Sequence, residues 1–184
     1  MGKNAELQKL QDEQAHIERE WIFQGKYLKV RKDIIKRLGH PNKIWEIAVM
    51  PGAVAILPID AEGNFILVEQ WRRAINQITL EIPAGMIDPG EDPLTCAQRE
   101  LQEETGYKAG EFISLGGYYP SPGMISEYIQ LFIAKNLSES RLYADDTEGI
   151  DLRSVTLPEA LNMISQGQIC DAKTTIAILR YCRD

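Results

Sequence analysis

The sequence predicts an α/β fold in which a mixed β-sheet carries helices on both sides. Apolar segments of strand length, bounded by turn-forming residues, lie before and after one long helix-forming segment at residues 93–105. Two further segments with helix-capping residues end the chain. Strands, a long helix, more strands and C-terminal helices are typical of a sheet covered on both faces. The predicted core strands are residues 47–59, 65–70, 79–82, 112–119 and 128–134.

The N-terminal region predicts a separate small element. Leu7, Leu10, Ile17 and Trp21 recur at near-helical spacing, which predicts an amphipathic helix over residues 5–21 that docks on its own domain or on a partner subunit. Alternating segments and a turn then predict a small antiparallel sheet within residues 21–47. The expected organisation is an N-terminal helix and small β-sheet in residues 1–46 and a catalytic domain in residues 47–184.

The long central helix has recognisable ends. Asp92 suits the N-cap, Pro93 the first turn, and Gly106 the left-handed position just past the last turn. The chain therefore predicts a helix over residues 93–105. Near the C-terminus, Thr156 predicts the start of a helix that ends near residue 167, and Asp171 the start of another that reaches residue 181.

The central helix separates apolar from acidic residues. Leu94, Ala97 and Leu101 share a face that is expected to pack into the core. Like charges four residues apart cost a helix roughly 0.2–0.5 kcal/mol, so the acidic cluster needs a positive partner, and a hard divalent cation is suitable. The clustered carboxylates are Glu100, Glu103 and Glu104.

Composition limits the class of protein. The 184 residues suffice for one substantial core, and 44% hydrophobic with 26% charged residues is typical of a globular chain. A formal charge of −7 argues against a nucleic-acid surface, which needs a basic stripe. No membrane span or signal peptide is expected. The three cysteines have no metal-ligand spacing, and free thiols predict a reducing, cytoplasmic compartment.

Residues 85–107, GMIDPGEDPLTCAQRELQEETGY, resemble the Nudix box, with Tyr107 where an aliphatic residue is commoner. The resemblance implies an α/β/α sandwich and an Mg²⁺- or Mn²⁺-assisted attack of water on a diphosphate. It also implies that two or three cations are held by four positions, and that Glu91 pairs with Arg99 to brace the loop against the helix. Glu103 and Glu104 are further taken as catalytic. The four metal positions are the Ala84 carbonyl, Glu100, Glu103 and Glu104.

Residues outside the box resemble the ADP-ribose pyrophosphatase and nucleoside diphosphate sugar hydrolase branch of that family. Pro122 lies fifteen residues past Tyr107, as is typical of the branch, and Gln70-Trp71-Arg72-Arg73 resembles its phosphate-binding strand end. Arg72 is therefore expected to bind the substrate diphosphate, since guanidinium offers planar, bidentate donors. Glu81 either bonds a ribose hydroxyl or pairs with Arg72.

Two candidates come from other parts of the chain. Trp45 can stack on a nucleobase or simply pack against protein, and it stands where the branch often has arginine. Glu148 matches a loop glutamate that, in the resembling enzymes, activates water or completes a metal site.

The predicted protein is a homodimeric hydrolase of ADP-ribose or a related nucleoside diphosphate sugar, with the dimer formed through the N-terminal region. One alternative is a preference for another nucleotide sugar such as GDP-mannose. The other is a sensor that binds ADP-ribose without cleaving it.

Overall fold

A computed structural model describes residues 2–37, 39, 41–144 and 149–183, which form two compact units. The first unit comprises Met1–Met50 with Ser121–Glu127, and the second comprises Pro51–Pro120 with Tyr128–Asp184. The first unit therefore extends beyond the predicted boundary at residue 46 and includes a distant segment. The expected roles, dimer formation for residues 1–46 and catalysis for residues 47–184, stay a prediction.

The first unit is a helix followed by an antiparallel sheet in the order β1-β2-β3, which confirms the predicted small sheet. The predicted helix over residues 5–21 is wrong beyond residue 13. Ile17, Trp21 and Phe23 are β-branched or aromatic residues that suit a strand, and their segment pairs with β2. The elements are α1 (Lys3–Glu13), β1 (His16–Gln24), β2 (Lys29–Lys36) and β3 (Lys43–Val49).

Helix α1 also differs from expectation in its packing, because none of its residues is buried in this chain. Arg37, just after β2, tethers the helix by an ion pair to Asp12 and a 3.2 Å hydrogen bond from Nη1 to Gln11. Polar contacts, and not an apolar face, therefore connect α1 to the unit.

The second unit contains two sheets. One has the order β7-β4-β9-β8 and is mixed, because β4 and β9 run parallel, whereas the other, β10-β5-β6, is antiparallel. The strands are β4 (Ala53–Pro58), β5 (Phe65–Arg72), β6 (Gln77–Glu81), β7 (Ala84–Met86), β8 (Tyr107–Tyr118), β9 (Ile129–Glu139) and β10 (Asp151–Val155). The helices are α2 (Pro93–Thr105), α3 (Leu157–Ser165) and α4 (Ala172–Tyr181).

The single strand predicted over residues 47–59 is two strands in the structure. Strand β3 ends at Val49 in the first unit, and β4 begins at Ala53 in the second. Pro51 and Gly52 separate them, since proline cannot donate to a strand ladder and glycine weakens a strand. Strands β7 and β10 were not predicted.

Strand β4 shows why the second unit is layered. All six of its residues are buried, and successive side chains point to opposite faces. Val54 and Ile56 pack with Ala97 and Leu101 of α2. Ala53, Ala55 and Leu57 belong to the other cluster, which also contains these buried residues of α3 and α4: Ala160, Met163, Ala177 and Ile178. The mixed sheet therefore lies between helices, which confirms the α/β/α sandwich.

The predicted helix ends are confirmed. Asp92 accepts hydrogen bonds from the Leu94 and Thr95 amides, and Gly106 adopts φ 78° just past the last turn of α2. Thr156 forms a capping box with Glu159 at the start of α3, and Asp171 caps α4. No helix in the described ranges is long and apolar enough to cross a membrane.

The prediction that Leu94 packs into the core from α2 is wrong. Leu94 is 48% exposed, and it lines a surface groove with Phe112 and Leu142. Cys96, which is not among the three residues predicted for that face, is fully buried instead. Leu94 lies in the first turn, where a residue can follow the apolar spacing and still extend past the sheet.

Leu101→Ala should lower the free energy of unfolding by about 2–5 kcal/mol, because Leu101 is fully buried between α2 and the sheet. Leu94→Ala is the matched control on the same helix and should cost clearly less. Urea denaturation of both variants measures the difference. Equal losses would contradict the assignment of Leu94 to the surface.

Candidate functional site

The Glu100 side chain of helix α2 lies directly against the backbone of the short strand β7 at Gly85. A Cβ added to Gly85 would lie 2.0 Å from both Cδ and Oε1 of Glu100. A side chain at position 85 would therefore displace the Glu100 carboxylate from this position. Gly85 therefore allows the Glu100 carboxylate to lie directly against the β7 backbone.

Arg99 connects the loop before α2 with the acidic face of that helix. Its Nε and Nη2 donate to the two oxygens of Glu91 at 2.9 Å each, and Nη2 also donates to the Met86 carbonyl at 3.2 Å. Its Nη1 donates to Glu100 at 2.5 Å and to Glu103 at 3.0 Å. The expected Glu91–Arg99 pair is thus present, and the same guanidinium also offsets the repulsion between two helix carboxylates.

These contacts shift the proton affinities of both partners. Hydrogen bonding from Arg99 lowers the pKa of Glu91 to about 2, and Glu91 raises the pKa of Arg99. Both groups therefore stay charged at neutral pH. A planar, permanently charged fork suits this position better than lysine would.

Glu104 has a different environment from its neighbours on α2. It accepts a 3.1 Å hydrogen bond from the Ala84 amide, which links it to the strand that precedes the loop. Burial, with the nearby charge of Glu100, raises the pKa of Glu104 to about 8, although the Ala84 amide, Arg72 and Lys173 act in the opposite direction. Glu104 is thus a carboxyl that needs additional positive charge to ionise fully at neutral pH.

The candidate metal positions offer only hard oxygen donors. Three glutamates and a backbone carbonyl are the ligand type that Mg²⁺ and Mn²⁺ accept, so the residues fit such ions chemically. The described residues contain no group of three or more acidic, histidine or cysteine side chains already arranged around one point. Glu100 and Glu103 are instead turned to Arg99, so cation binding would require these side chains to reorient.

A second charged cluster lies at the adjoining ends of β5 and β6. Arg72 donates from Nε to Oε1 of Glu81 at 2.8 Å and from Nη2 to Oε2 at 2.6 Å. Of the two alternatives predicted for Glu81, the structure therefore shows the pair with Arg72. The next residue, Arg73, is exposed in the turn after β5, so the two arginines differ in environment.

No sequence pattern indicates the third member of this cluster, Lys173. It lies in the first turn of α4, forms an ion pair with Glu81, and contacts Asp171 at 3.1 Å. Thr79 also donates to Glu81, at 2.5 Å. Lys173 is 92 positions from Glu81 in the chain, so no local pattern could have connected them.

Burial would raise the pKa of Glu81, which is only 3% exposed. The hydrogen bonds from Arg72, Lys173 and Thr79 and the charge of Lys173 outweigh that effect and lower the pKa to about 2. Glu81 is accordingly a permanent buried anion. Hydrogen bonding from Glu81 also raises the pKa of Arg72.

Two of the remaining candidates, Trp45 and Pro122, belong to the first unit. Trp45 is on β3 and 41% exposed. Pro122 belongs to the same unit, in the segment Ser121–Glu127. Backbone bonds from Ala48 to the Met124 carbonyl and from Ser126 to the Ala48 carbonyl, at 2.8 and 3.0 Å, hold that segment against β3. Glu148 lies outside the described residues.

Comparison with known proteins gives a consistent family. The family model for the NUDIX domain matches residues 49–175. A crystal structure of an ADP compounds hydrolase superposes with a TM-score of 0.82 at 22% identity, covering 92% of each chain. That likeness concerns the fold.

Three relatives show closer sequence similarity. The methanol dehydrogenase activator of Bacillus methanolicus is 40% identical over 90% of this chain and 91% of its own. The ADP-ribose pyrophosphatase of Bacillus subtilis is 37% identical with the same coverage. The GDP-mannose pyrophosphatase of Citrobacter koseri is 34% identical over 71% of this chain and 72% of its own.

Glu81→Gln should be less stable than the wild type at neutral pH, and this difference in unfolding free energy should become smaller as the pH falls. A carboxyl whose folded pKa is depressed stabilises the protein above its unfolded pKa and loses that contribution as pH falls towards the folded value. The difference in unfolding free energy should therefore be full at pH 6 and shrink between about 4.5 and 2. Urea unfolding of both proteins across this range measures it, and a constant difference would show that the Glu81 charge is not stabilising.

Proposed function

The chain belongs to the NUDIX domain family, a family of divalent-metal-dependent pyrophosphohydrolases, and from that membership we propose that it hydrolyses the diphosphate of ADP-ribose or a related nucleoside diphosphate sugar. The products would be a nucleoside monophosphate and a sugar phosphate. The observation that carries the proposal is the acidic face of α2 joined to the loop by Arg99, with Arg72 close enough for its charge to lower the pKa of Glu104. The Bacillus subtilis relative supports ADP-ribose as substrate.

Mg²⁺ is the proposed cation, and Mn²⁺ is expected to substitute for it. Glu100, Glu103, Glu104 and the Ala84 carbonyl would hold the ions, a hard-oxygen set that suits both. When bound, such ions supply charge that polarises a diphosphate and lowers the pKa of a coordinated water. Positive charge there would also favour the ionised form of Glu104, whose pKa is raised to about 8 without it.

Each side chain of the site has a role of its own in the proposal. Arg99 and Glu91 position the helix carboxylates without touching substrate, and Glu100 and Glu103, which pair with Arg99 in this structure, would hold the cations. Arg72 orients the diphosphate through bidentate donors. Glu103 and Glu104 act next to the reacting phosphorus. Glu148 is retained as the base or the closing ligand, on the strength of its loop position in the sequence.

The first unit is proposed to serve the nucleobase and the dimer. Trp45 and Pro122 belong to this unit; Trp45 is the proposed base contact, and Pro122 is a proposed substrate-binding residue. Its sheet and the turn between β1 and β2 also expose large apolar side chains, which a homodimer would cover. These residues are Trp21, Ile22, Phe23, Tyr27, Leu28, Ile44 and Trp45.

A cytoplasmic location is proposed because all three cysteines are free thiols.

Chromatographic separation of the products formed from ADP-ribose and GDP-mannose at equal Mg²⁺ tests the proposal. Conversion of ADP-ribose to AMP and ribose phosphate with the higher kcat/KM is the expected result. A preference for GDP-mannose, which the Citrobacter koseri relative supports, would establish the alternative substrate. Binding of ADP-ribose without any product would point to the sensor.

A second candidate function follows from the Bacillus methanolicus relative, whose identity of 40% is similar to that of the pyrophosphatase. We propose that this chain also stimulates a methanol dehydrogenase. Dehydrogenase turnover is measured in the presence of wild-type protein and of Glu104→Gln. The comparison shows whether stimulation occurs and whether it depends on the hydrolytic site. Loss of stimulation in the variant would tie the effect to the same hydrolytic site, and no stimulation by wild type would remove this function.

Glu104→Gln should retain the fold while turnover falls at least ~10²-fold, the low end for a lost catalytic group. The substitution keeps an acceptor for the Ala84 amide and removes only the ionisable oxygen. Circular dichroism and steady-state kinetics at saturating Mg²⁺ provide the measurement. Turnover within threefold of wild type would show that Glu104 is not a ligand.

Arg72→Ala should cost about 1.5–3 kcal/mol in kcat/KM, the range for a hydrogen bond to a charged group. Arg73→Ala is the matched control and should cost much less, because Arg73 is exposed in the following turn. Steady-state kinetics on the preferred substrate compares the two. Reversed magnitudes would mean that Arg73, and not Arg72, binds phosphate.

A further inference from the structure

The ion pair between Arg72 and Glu81 raises a problem for the proposed function. A diphosphate clamp needs a positive charge that is available to substrate, yet Arg72 already donates two hydrogen bonds to a carboxylate. If these two groups were alone, Glu81 would cancel the charge of Arg72. The third member of the cluster, Lys173, changes that balance.

The two cations around Glu81 differ in exposure. The side chain of Lys173 is 11% exposed, whereas that of Arg72 is 40% exposed. Lys173 is therefore the buried counter-ion of Glu81, and Arg72 is the member that faces incoming solutes. No hydrogen bond from Nη1 of Arg72 is found among the described residues, which leaves that nitrogen for a phosphate oxygen.

The fold holds Lys173 in this position through its neighbour in sequence. Thr174 accepts a 2.8 Å hydrogen bond from the Ile82 amide, and both residues are buried. Adjacent residues of α4 thus contact adjacent residues at the end of β6. Asp171, which caps α4, also contacts Lys173 at 3.1 Å.

We infer that Lys173 is a positioning residue that neutralises Glu81 and so keeps the charge of Arg72 available for the substrate diphosphate. The inference rests on the proposed function, through the role of Arg72. The formal charges of Arg72, Glu81, Lys173 and Asp171, which also contacts Lys173, sum to zero. Removing the lysine charge leaves a net charge of minus one, and removing the Glu81 charge as well returns the sum to zero.

This charge count makes the double variant decisive. Lys173→Met should raise KM for ADP-ribose by about fivefold or more, the low end of a typical coupling between sites, with kcat within about twofold. Adding Glu81→Gln to it should return KM towards the wild-type value. A purely structural role predicts the opposite, because a second buried substitution would only add damage. Lys108→Met, at an exposed lysine on β8, is the control and should leave both constants unchanged.

Calorimetric titration with ADP-ribose in EDTA gives a readout that needs no hydrolysis. Its dissociation constant should change in the same order across the variants. Wild type that binds ADP-ribose in EDTA but forms no product at saturating Mg²⁺ would remove the proposed hydrolysis and still test Lys173, and wild type that does neither would overturn both proposals. Unchanged KM and affinity in Lys173→Met, or a double variant no better than the single one, would overturn the role of Lys173.

Discussion

The guanidinium of Arg99 is the interaction on which the arrangement of the box depends. On one side it holds Glu91 of the loop and the Met86 carbonyl at the end of β7, and on the other it holds Glu100 and Glu103 of α2. Without this charge, several carboxylates would crowd together against mutual repulsion. Because the guanidinium fork has donors in fixed directions, it sets the geometry as well as the charge.

A second constraint is steric and acts at the same place. The absence of a side chain on Gly85 lets Glu100 lie against β7, and the Ala84 amide then bonds Glu104 on the neighbouring position of the strand. Two successive backbone positions of one short strand therefore define where two carboxylates of α2 lie. The acidic face of the helix is positioned by backbone, while Arg99 compensates its charge.

The Arg72 cluster follows a different principle, because its members come from two strands and a helix distant in sequence. Glu81 is buried, and it is stabilised only because Arg72, Lys173 and Thr79 all donate to it. A buried carboxylate with one counter-ion would immobilise that counter-ion. With two, the more exposed cation can act on a ligand while the anion stays paired, which connects the packing of α4 to the chemistry expected at the end of β5.

Prediction from sequence succeeded where the determining interactions are local. The ends of α2, α3 and α4 depend on side chains within three residues of the helix start or on one left-handed glycine, and all were predicted. It failed where a distant partner decides. Residues 16–21 follow a helical spacing, but pairing with β2 makes them a strand. Leu94 has the spacing of a core residue, and only the position of the sheet leaves it exposed.

The sequence by itself determined the family, the α/β class and the residues of the box, because these follow from the type and spacing of residues that are close together in the chain. The tertiary structure alone decided that Glu81 pairs with Arg72, that Lys173 joins them, and that Arg99 binds three carboxylates at once. Charge pairing depends on the distance between two side chains in space and on their burial. The sequence shows neither quantity for residues that are up to 92 positions apart in the chain.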